Sequence, residues 1–322
     1  MNIESPVTDQ TFPILRDPER LPPKLANPVI ALGNFDGVHR GHAAVIARAK
    51  ALAQRLGRPC AVVTFEPHPA DYFAGSSVVF RLTPEAEKAR ALQRLELDGL
   101  IVLEFGPELA VMEAESFVRD LLVGRLGISA AVAGYDFHFG KGRKGSPDFL
   151  RDAGTRYGFD VEIIEKIVAD QHGSLEAVHS GATRKALEQG DVALARRLLG
   201  HKYFVKGEVI HGQKLGRTLG FPTANLQLDP SNKLCHGIYA VRIEFDGQIH
   251  DGVASWGRRP TVDNGAPLLE IYVFDFSGDL YGKQVEVGFV EWIRGEEKFA
   301  SLDDLVARIG QDAAEARAIL SR

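Results

Sequence analysis

The 322-residue chain has few cysteines, no long apolar run and no excess of basic charge. Its two cysteines, Cys60 and Cys235, lie far apart and form no metal-binding or redox spacing, which favours a reduced, cytoplasmic compartment. The first 28 residues include acids and prolines but no apolar block, so we expect no signal peptide, and no run is long enough to span a bilayer. A net charge of −5 gives no overall electrostatic footprint for nucleic acid. Neither nucleic acid nor a membrane is therefore an expected partner.

The spacing of apolar residues changes once along the chain and predicts two domains, residues 1–200 and residues 201–322. In the first domain, apolar runs alternate with segments of helical periodicity, which is typical of βαβ units in an open, doubly wound parallel sheet. Beyond the apolar run that begins at Val29, the pattern predicts strands at residues 60–65, 99–104 and 130–134, and helices at residues 43–56, 85–95 and 114–126.

The most informative stretch is VIALGNFDGVHRGH, residues 29–42, which reads as a strand, a tight turn and the start of a helix. The first turn of a helix leaves backbone N–H groups unpaired and suits an anion such as phosphate. Gly37 and Gly41 would let a ligand approach the backbone, and His39 and His42, three positions apart, would point to similar sides. The alternative is that either histidine only caps the helix or packs. Zinc is not expected, because no Cys or acidic cluster supplies further ligands.

Ligands of such sheets bind beyond the carboxyl ends of the strands, so the loops at residues 34–41, 65–69 and 134–145 should converge. The last of these loops reads GYDFHFGKGRKG and contains Asp136 and three basic residues. A purely solvated basic loop is the alternative interpretation.

The second domain consists of short alternating segments with turn residues between them, which predicts a small antiparallel barrel. A final helix, residues 302–320, would open with a capping arrangement of Ser301 and Asp304. The six predicted strands are residues 203–210, 223–228, 238–245, 249–256, 268–276 and 285–292.

Two features of the barrel suggest chemistry. The stretch GQKLGRTLGFPTAN, residues 212–225, could fold over a phosphate chain, and Thr223 and Asn225 would face the same way and offer oxygen ligands to Mg²⁺. Glu270 would share a strand face with the aromatic residues at 272, 274 and 276, which suits a general base of raised proton affinity. The alternatives are a glycine-rich turn without function and a rim glutamate bonded to a neighbour.

FDGVHRGH resembles the HxGH signature of the nucleotidylyltransferase superfamily. Together with TFEPHP at residues 64–69 and a GxDFxFG pattern at residues 134–140, GNFDGVHRGH resembles the adenylyltransferase half of bacterial bifunctional riboflavin kinase/FAD synthetases. This resemblance implies a Rossmann-like fold, phosphate contacts from His39 and His42, and Phe65 and Phe139 near the flavin. It also implies an ATP-binding set of Gly33, Phe35, Asp36, Gly37, Gly41 and Asp136.

The barrel resembles the riboflavin kinase module of the same enzymes through GRTLGFPTAN, GVASWGRRPTVDNG, LLEIYVFDFSGDLYG and IRGEEKF, in the same order and spacing. The resemblance implies that Thr223 and Asn225 bind Mg²⁺ and ATP phosphates, and that Glu270 accepts the proton of the ribityl 5′-hydroxyl. The phosphate-binding set that it implies further includes Gly216, Arg217, Gly220 and Pro222.

One expected family element, SSTxxR, departs from the pattern: Ser180 and Arg184 match, but His179 and Gly181 replace a serine and a threonine. Ser180 and Arg184 would bind the triphosphate, or Ser180 would only cap a helix. The predicted function is phosphorylation of riboflavin to FMN and adenylylation of FMN to FAD, each step consuming MgATP. The alternative is a riboflavin kinase with an impaired adenylyltransferase domain. A flavin-binding regulator and a cytidylyl or pantetheine-type transferase are further rivals.

Overall fold

The computed structural model describes residues 12–167, 178–212, 219–258 and 267–322, and the chain divides into two compact units. The first unit comprises Met1–Val79 and Thr83–His179, and the second comprises Phe80–Leu82 and Ser180–Arg322. Residues 180–199 group with the second unit because the apolar side chains of their helices share one buried cluster with the barrel. The functional boundary predicted between residues 200 and 201 stays a prediction.

The first unit contains a six-stranded parallel sheet, which confirms the predicted doubly wound architecture. Its four central strands are buried almost throughout, as expected when helices cover both faces, whereas its two edge strands are partly exposed. In chain order they are β1 (Ile14–Arg16), β2 (Val29–Leu32), β3 (Cys60–Glu66), β4 (Gly99–Glu104), β5 (Ala130–Gly134) and β6 (Asp160–Ile164), and their order in the sheet is β1-β4-β3-β2-β5-β6.

Helices connect these strands. The first of them buries the apolar stripe at Val45, Ile46, Ala49 and Leu52 and ends at Gly57, whose φ of 62° is left-handed. The helices are α1 (Arg40–Leu56), α2 (Pro69–Ala74), α3 (Glu85–Gln93), α4 (Pro107–Val111), α5 (Ala114–Ser116), which continues as a π-helical segment at Phe117–Arg125, and α6 (Pro147–Tyr157).

The second unit contains a six-stranded antiparallel sheet in the order β7-β12-β9-β10-β11-β8. The two edges of this sheet meet at an isolated bridge, where the backbone N–H of Ile210 donates to the carbonyl of Asn225 at 2.9 Å. A tight hairpin with left-handed Asp246 and Gly247 joins β9 to β10, as predicted. The strands are β7 (Phe204–Glu208), β8 (Thr223–Leu226), β9 (Gly237–Phe245), β10 (Gln248–Gly257), β11 (Leu268–Val273) and β12 (Gln284–Arg294).

Among the described residues of this unit, three helices accompany the barrel: α7 (Ser180–Glu188), α8 (Val192–Leu199) and α9 (Leu302–Leu320). The predicted cap of α9 is confirmed, because Ser301 Oγ accepts the backbone N–H of Asp304 at 3.1 Å. An ion pair also ties α9 to β12: Arg294 donates two hydrogen bonds to the buried carboxylate of Asp312, at 2.9 and 2.6 Å.

The strand predicted at residues 268–276 is too long. It ends at Val273, because Asp275 adopts a left-handed φ of 54° and turns the chain. Phe274 stays on the side that faces α9, whereas Phe276 packs against the other apolar cluster of the barrel. Glu270 and Tyr272 therefore do not share a continuous strand face with Phe276.

Candidate active sites

The loop after β2 stands at the point where the strand order of the parallel sheet reverses. The chain moves from β2 to β3 and β4 on one side and then returns to β5 on the other. Leu32, the last residue of β2, is in register with Val63 of β3 and with Ala133 of β5. The loops that follow these three strands therefore leave the same edge of the sheet, where open α/β sheets bind ligands.

This loop holds an unusual backbone. Phe35, Gly37 and Val38 have φ values of 50°, 86° and 41°, in the left-handed region that L-residues rarely adopt. The Phe35 ring is buried at 1 % exposure. A Cβ at Gly33 would lie 3.3 Å from that ring, and a Cβ at Gly41 would lie 3.1 Å from the His39 ring. Two of the predicted glycines thus make room for side chains of the loop itself.

The two histidines lie against each other at the start of α1. Their rings stack with centroids 3.6 Å apart and planes inclined by 16°. His39 is the N-cap of α1, and its Nδ1 accepts the backbone N–H of His42 at 3.3 Å. Because that nitrogen carries no proton, the proton of a neutral His39 ring sits on Nε2. Capping and phosphate binding are therefore compatible in His39.

The pKa of His42 lies well below its ordinary value of 6.5. Burial is the largest cause, followed by the Coulombic effects of His39 and Lys88, which both disfavour a positive charge on His42. Lys88 is itself buried at 1 % exposure, and its Nζ donates to Glu66 Oε1 at 2.6 Å and to Thr64 Oγ1 at 3.3 Å. His42 is a neutral imidazole around pH 7 in the absence of a bound anion.

A residue that the sequence analysis did not identify also contacts this loop. The backbone N–H of Thr83 donates to Asp36 Oδ1 at 3.0 Å, and Thr83 Oγ1 accepts the backbone N–H of Gly37 at 2.8 Å. Asp36 and Thr83 are each 2 % exposed. No sequence signal identifies Thr83, because it lies 46 residues beyond Gly37.

The other residues predicted in this unit occupy varied positions. Phe65 and Phe139 are both buried at 6 % exposure, and both pack on Phe117, with ring centroids 6.3 and 4.9 Å away. Asp136 is exposed at the turn after β5. The basic loop is exposed at residues 141–144, and its base is closed by paired backbone hydrogen bonds between Phe139 and Gly145.

Ser180 and Arg184 lie in the second compact unit. Ser180 is the first residue of α7, and the Nε of Arg184 donates to the carbonyl oxygen of Phe80 at 2.7 Å. Thr183, between them, is fully buried. The predicted triphosphate contacts of Ser180 and Arg184 stay predictions.

In the barrel, the strand register brings the predicted kinase residues together. Glu270 on β11 is directly opposite Asn225 on β8, and Tyr272 is directly opposite Thr223. Because alternate residues of a strand share a face, all four side chains lie on one side of the sheet. Asn225 is 3 % exposed, and Glu270 Oε1 is shielded from solvent.

Gly212 approaches this group closely. A Cβ at Gly212 would lie 2.5 Å from Asn225 Nδ2, so only glycine permits this path. Gly220 has a left-handed φ of 85°, and Pro222 directly precedes β8. Gly216 and Arg217 lie outside the described residues. Within the part of the chain that the structure describes, no group of three or more His, Cys, Asp or Glu side chains could hold a metal ion.

The first unit has a histidine pair at a helix start on a doubly wound sheet, and the barrel has a carboxylate directly opposite Asn225 with Thr223 on the same face. These two sites are typical of a two-domain enzyme of nucleotide and phosphate transfer. Comparisons with known proteins agree. The FAD synthetase family model matches residues 21–175, and the riboflavin kinase model matches residues 199–320. The chain belongs to the bifunctional riboflavin kinase/FMN adenylyltransferase family, and it is an enzyme of flavin cofactor synthesis.

Two curated relatives carry the name bifunctional riboflavin kinase/FMN adenylyltransferase. The protein from Haemophilus influenzae is 40% identical over 91% of this chain and 94% of its own length. The protein from Pseudomonas fluorescens is 41% identical over 95% and 97%. These matches favour two activities over a kinase with an impaired adenylyltransferase domain.

A solved structure titled as a macrolide-efflux protein from Streptococcus pneumoniae superposes with a TM-score of 0.81 at 30% identity. The match covers 93% of this chain and 97% of that one. Among the helices that the structure describes here, none combines the length and apolar character needed to cross a membrane.

Proposed function

We propose that the loop after β2 carries out the adenylyl transfer from ATP to FMN. A phosphate oxygen of FMN attacks the α-phosphorus of ATP in line, the bond to the β-phosphate breaks and pyrophosphate leaves, with no covalent enzyme intermediate. The observation that supports this site is the stacked histidine pair at the start of α1. The N-terminal end of the helix and the Nε2–H of His39 both favour the negative charge of the phosphates.

The state of His42 fits this role. Its lowered pKa keeps it neutral in the free enzyme, and the negative charge of a triphosphate would favour its protonation. Phosphate binding and proton uptake by His42 would therefore support each other. The flavin contacts of Phe65 and Phe139 and the nucleotide contact of Asp136 belong to the same proposal.

The barrel would catalyse the ATP-dependent phosphorylation of riboflavin to FMN. Glu270 would accept the proton of the ribityl 5′-hydroxyl while that oxygen attacks the γ-phosphorus of ATP and ADP leaves. The supporting observation is the register of Glu270 directly opposite Asn225, with Thr223 on the same face. Phosphoryl transfer needs mainly positioning and charge neutralisation, and this group can provide both.

The same residues fit a magnesium ion. Thr223 and Asn225 bring a hydroxyl and an amide oxygen to one face of β8, and Mg²⁺ prefers such hard oxygen ligands while it retains water and phosphate oxygens. We therefore include Mg²⁺ among the proposed cofactors, held by Thr223 and Asn225. When bound, it would neutralise negative charge on the phosphates of ATP.

Riboflavin, FMN and ATP are the proposed small-molecule partners, and the net charge of −5 gives no overall electrostatic footprint for nucleic acid. Cys60 and Cys235 are both free thiols, which is consistent with a cytoplasmic location.

The test is a time course with riboflavin and MgATP, in which chromatography separates FMN from FAD. We expect FMN to rise first and FAD to follow. With His42→Ala, FMN should accumulate and FAD should not form. FAD production by His42→Ala at the unsubstituted rate would place adenylyl transfer away from this loop, and no FMN from riboflavin would overturn the kinase assignment.

A further inference from the structure

The loop after β2 is held by a buried residue outside its own sequence motif, Thr83. Thr83 lies directly before Pro84 and α3, and it contacts two consecutive residues of the loop, Asp36 and Gly37. Its backbone N–H donates to Asp36 Oδ1 at 3.0 Å, and its Oγ1 accepts the Gly37 N–H at 2.8 Å. The hydroxyl also lies 3.5 Å from Asp36 Oδ1. One buried residue thus binds both a carboxylate and a backbone amide of the loop.

The loop needs such support because its backbone conformation is unfavourable in free energy. The left-handed conformations of Phe35, Gly37 and Val38 fall within four residues, and two of the three residues are not glycine. Such conformations persist only where the surroundings determine them. Gly37, which donates to Thr83, lies between the two strained residues, Phe35 and Val38, and two positions before His39.

A second contact from α3 reinforces the same loop. Lys88 Nζ donates to Thr64 Oγ1 at 3.3 Å, and Thr64 Oγ1 in turn donates to the carbonyl of Asn34 at 3.0 Å. Asn34 is at the start of this loop, and Thr83 contacts the loop two and three residues later, at Asp36 and Gly37. Residues 83 and 88 therefore fix both ends of the segment 34–37 from one side.

We propose that Thr83 is a positioning residue for adenylyl transfer, which fixes the Asp36–Gly37 turn and so sets the place of His39 and His42. Asp36 serves this purpose as the acceptor of the Thr83 N–H, in addition to its predicted contact with the nucleotide. The inference depends on the proposed assignment of adenylyl transfer to this loop. Thr83 itself touches neither substrate nor reacting atoms in this role.

The test uses Thr83→Val, which keeps the shape but removes the hydroxyl, and Thr83→Ser, which keeps the hydroxyl. The kcat for FAD formation from FMN and ATP should fall about 10- to 100-fold in Thr83→Val, because the variant loses a buried hydrogen bond that the reaction geometry needs. Thr83→Ser should stay within about threefold of the parent. Riboflavin kinase activity of the same samples, which we assign to the second unit, is the internal control for enzyme concentration and should be unchanged in both variants.

Hydrogen exchange measured by mass spectrometry over residues 33–42 gives a readout besides activity. We expect faster exchange of this segment in Thr83→Val and parent-like exchange in Thr83→Ser. If Thr83→Val yields no folded protein, Thr83→Ala replaces it, with the same expected loss.

Two results would overturn the inference. One is FAD formation by Thr83→Val or Thr83→Ala within about twofold of the parent kcat, with the kinase intact. The other is an equal loss in Thr83→Ser, which would mean that the hydroxyl is not what matters. If His42→Ala instead leaves FAD formation unchanged, the site assignment itself is wrong, and the two failures are thereby distinguished.

Discussion

Replacement of Glu270 by glutamine should stop riboflavin phosphorylation while the protein stays folded. The substitution conserves the volume of the side chain and removes its charge. β11 is hydrogen-bonded on both sides, to β10 through Gly252–Gly257 and to β8 through Thr223–Leu226, so its backbone does not depend on the carboxylate. Asn225, directly opposite, can hydrogen-bond to a glutamine as well as to a glutamate. The variant therefore isolates the basicity of position 270.

The size of the effect follows from the role. A positioned general base contributes roughly 10²- to 10⁴-fold in rate. This range corresponds to about 2.7–5.5 kcal/mol of transition-state stabilisation, at about 1.36 kcal/mol for each factor of ten. Because Glu270 Oε1 is shielded from solvent, bulk water is a poor substitute for the missing base. We expect a fall in kcat near the upper part of that range.

The assay is FMN formation from riboflavin and MgATP, with FAD formation from supplied FMN as the internal control. Glu291→Gln provides the matched variant, since Glu291 is an exposed glutamate on β12 of the same barrel. It should keep both activities within about twofold. If Glu270→Gln keeps more than about a fifth of the parent kcat for FMN formation, Glu270 is not the base, and its register with Asn225 only serves the packing of the sheet.

Stability can be measured on the same purified chain by urea unfolding. Because the pKa of His42 is lowered in the folded chain, below pH 6.5 the unfolded chain binds a proton that the folded chain does not. The free energy of unfolding should therefore fall by up to about 1.4 kcal/mol for each unit by which the pH is lowered. His42→Gln should remove this contribution. Asp312→Ala should cost about 1–3 kcal/mol, because it removes a buried carboxylate that accepts two hydrogen bonds from the partly buried guanidinium of Arg294, whereas Asp303→Ala on the exposed first turn of α9 should cost under about 0.5 kcal/mol. Gly41→Ala should slow FAD formation at least about tenfold, because the added Cβ would lie 3.1 Å from the His39 imidazole and displace it. Gly310→Ala, which has open space around its Cβ, should leave both activities unchanged. Equal effects of the two glycine variants would contradict this reasoning.

The long periodic elements could be predicted from the sequence because side-chain burial decides them. The apolar stripe of α1 and the continuous apolar run of β3 each appear in the structure within a few residues of the predicted bounds. The strand β1 was not predicted, since three residues at the edge of a sheet carry no period, and its place is set by parallel pairing with β4. The segment after Ala114 was predicted as an ordinary helix. Its buried residues, at 117, 118, 121, 122 and 126, follow ordinary helical spacing, so the apolar pattern carries no signal of the wider π-helical turn found there.

The two candidate sites differ in how much of them the sequence could predict. In the barrel, Thr223, Asn225 and Glu270 were identified one by one, and only the pairing of β8 with β11 makes them neighbours. No local pattern specifies that register, because β8 and β11 are separated by two other strands in the chain. The sheet of the first unit is easier, since parallel strands present all their carboxyl ends at one edge.

In a stretch such as GNFDGVHRGH the sequence does not separate residues that bind a ligand from residues that hold the loop in shape. The structure adds burial and hydrogen bonding to the sequence pattern: Phe35 and Asp36 are turned inward, whereas His39 keeps Nε2 after its Nδ1 has capped α1. Because Phe35 and Asp36 are buried, we expect substitutions there to affect catalysis by changing the shape of the loop. Substituting the residues that hold them in place should therefore have the same effect. Thr83 is such a partner, and it lies outside the motif because hydrogen bonds that fix a loop come from whichever segment packs beneath it.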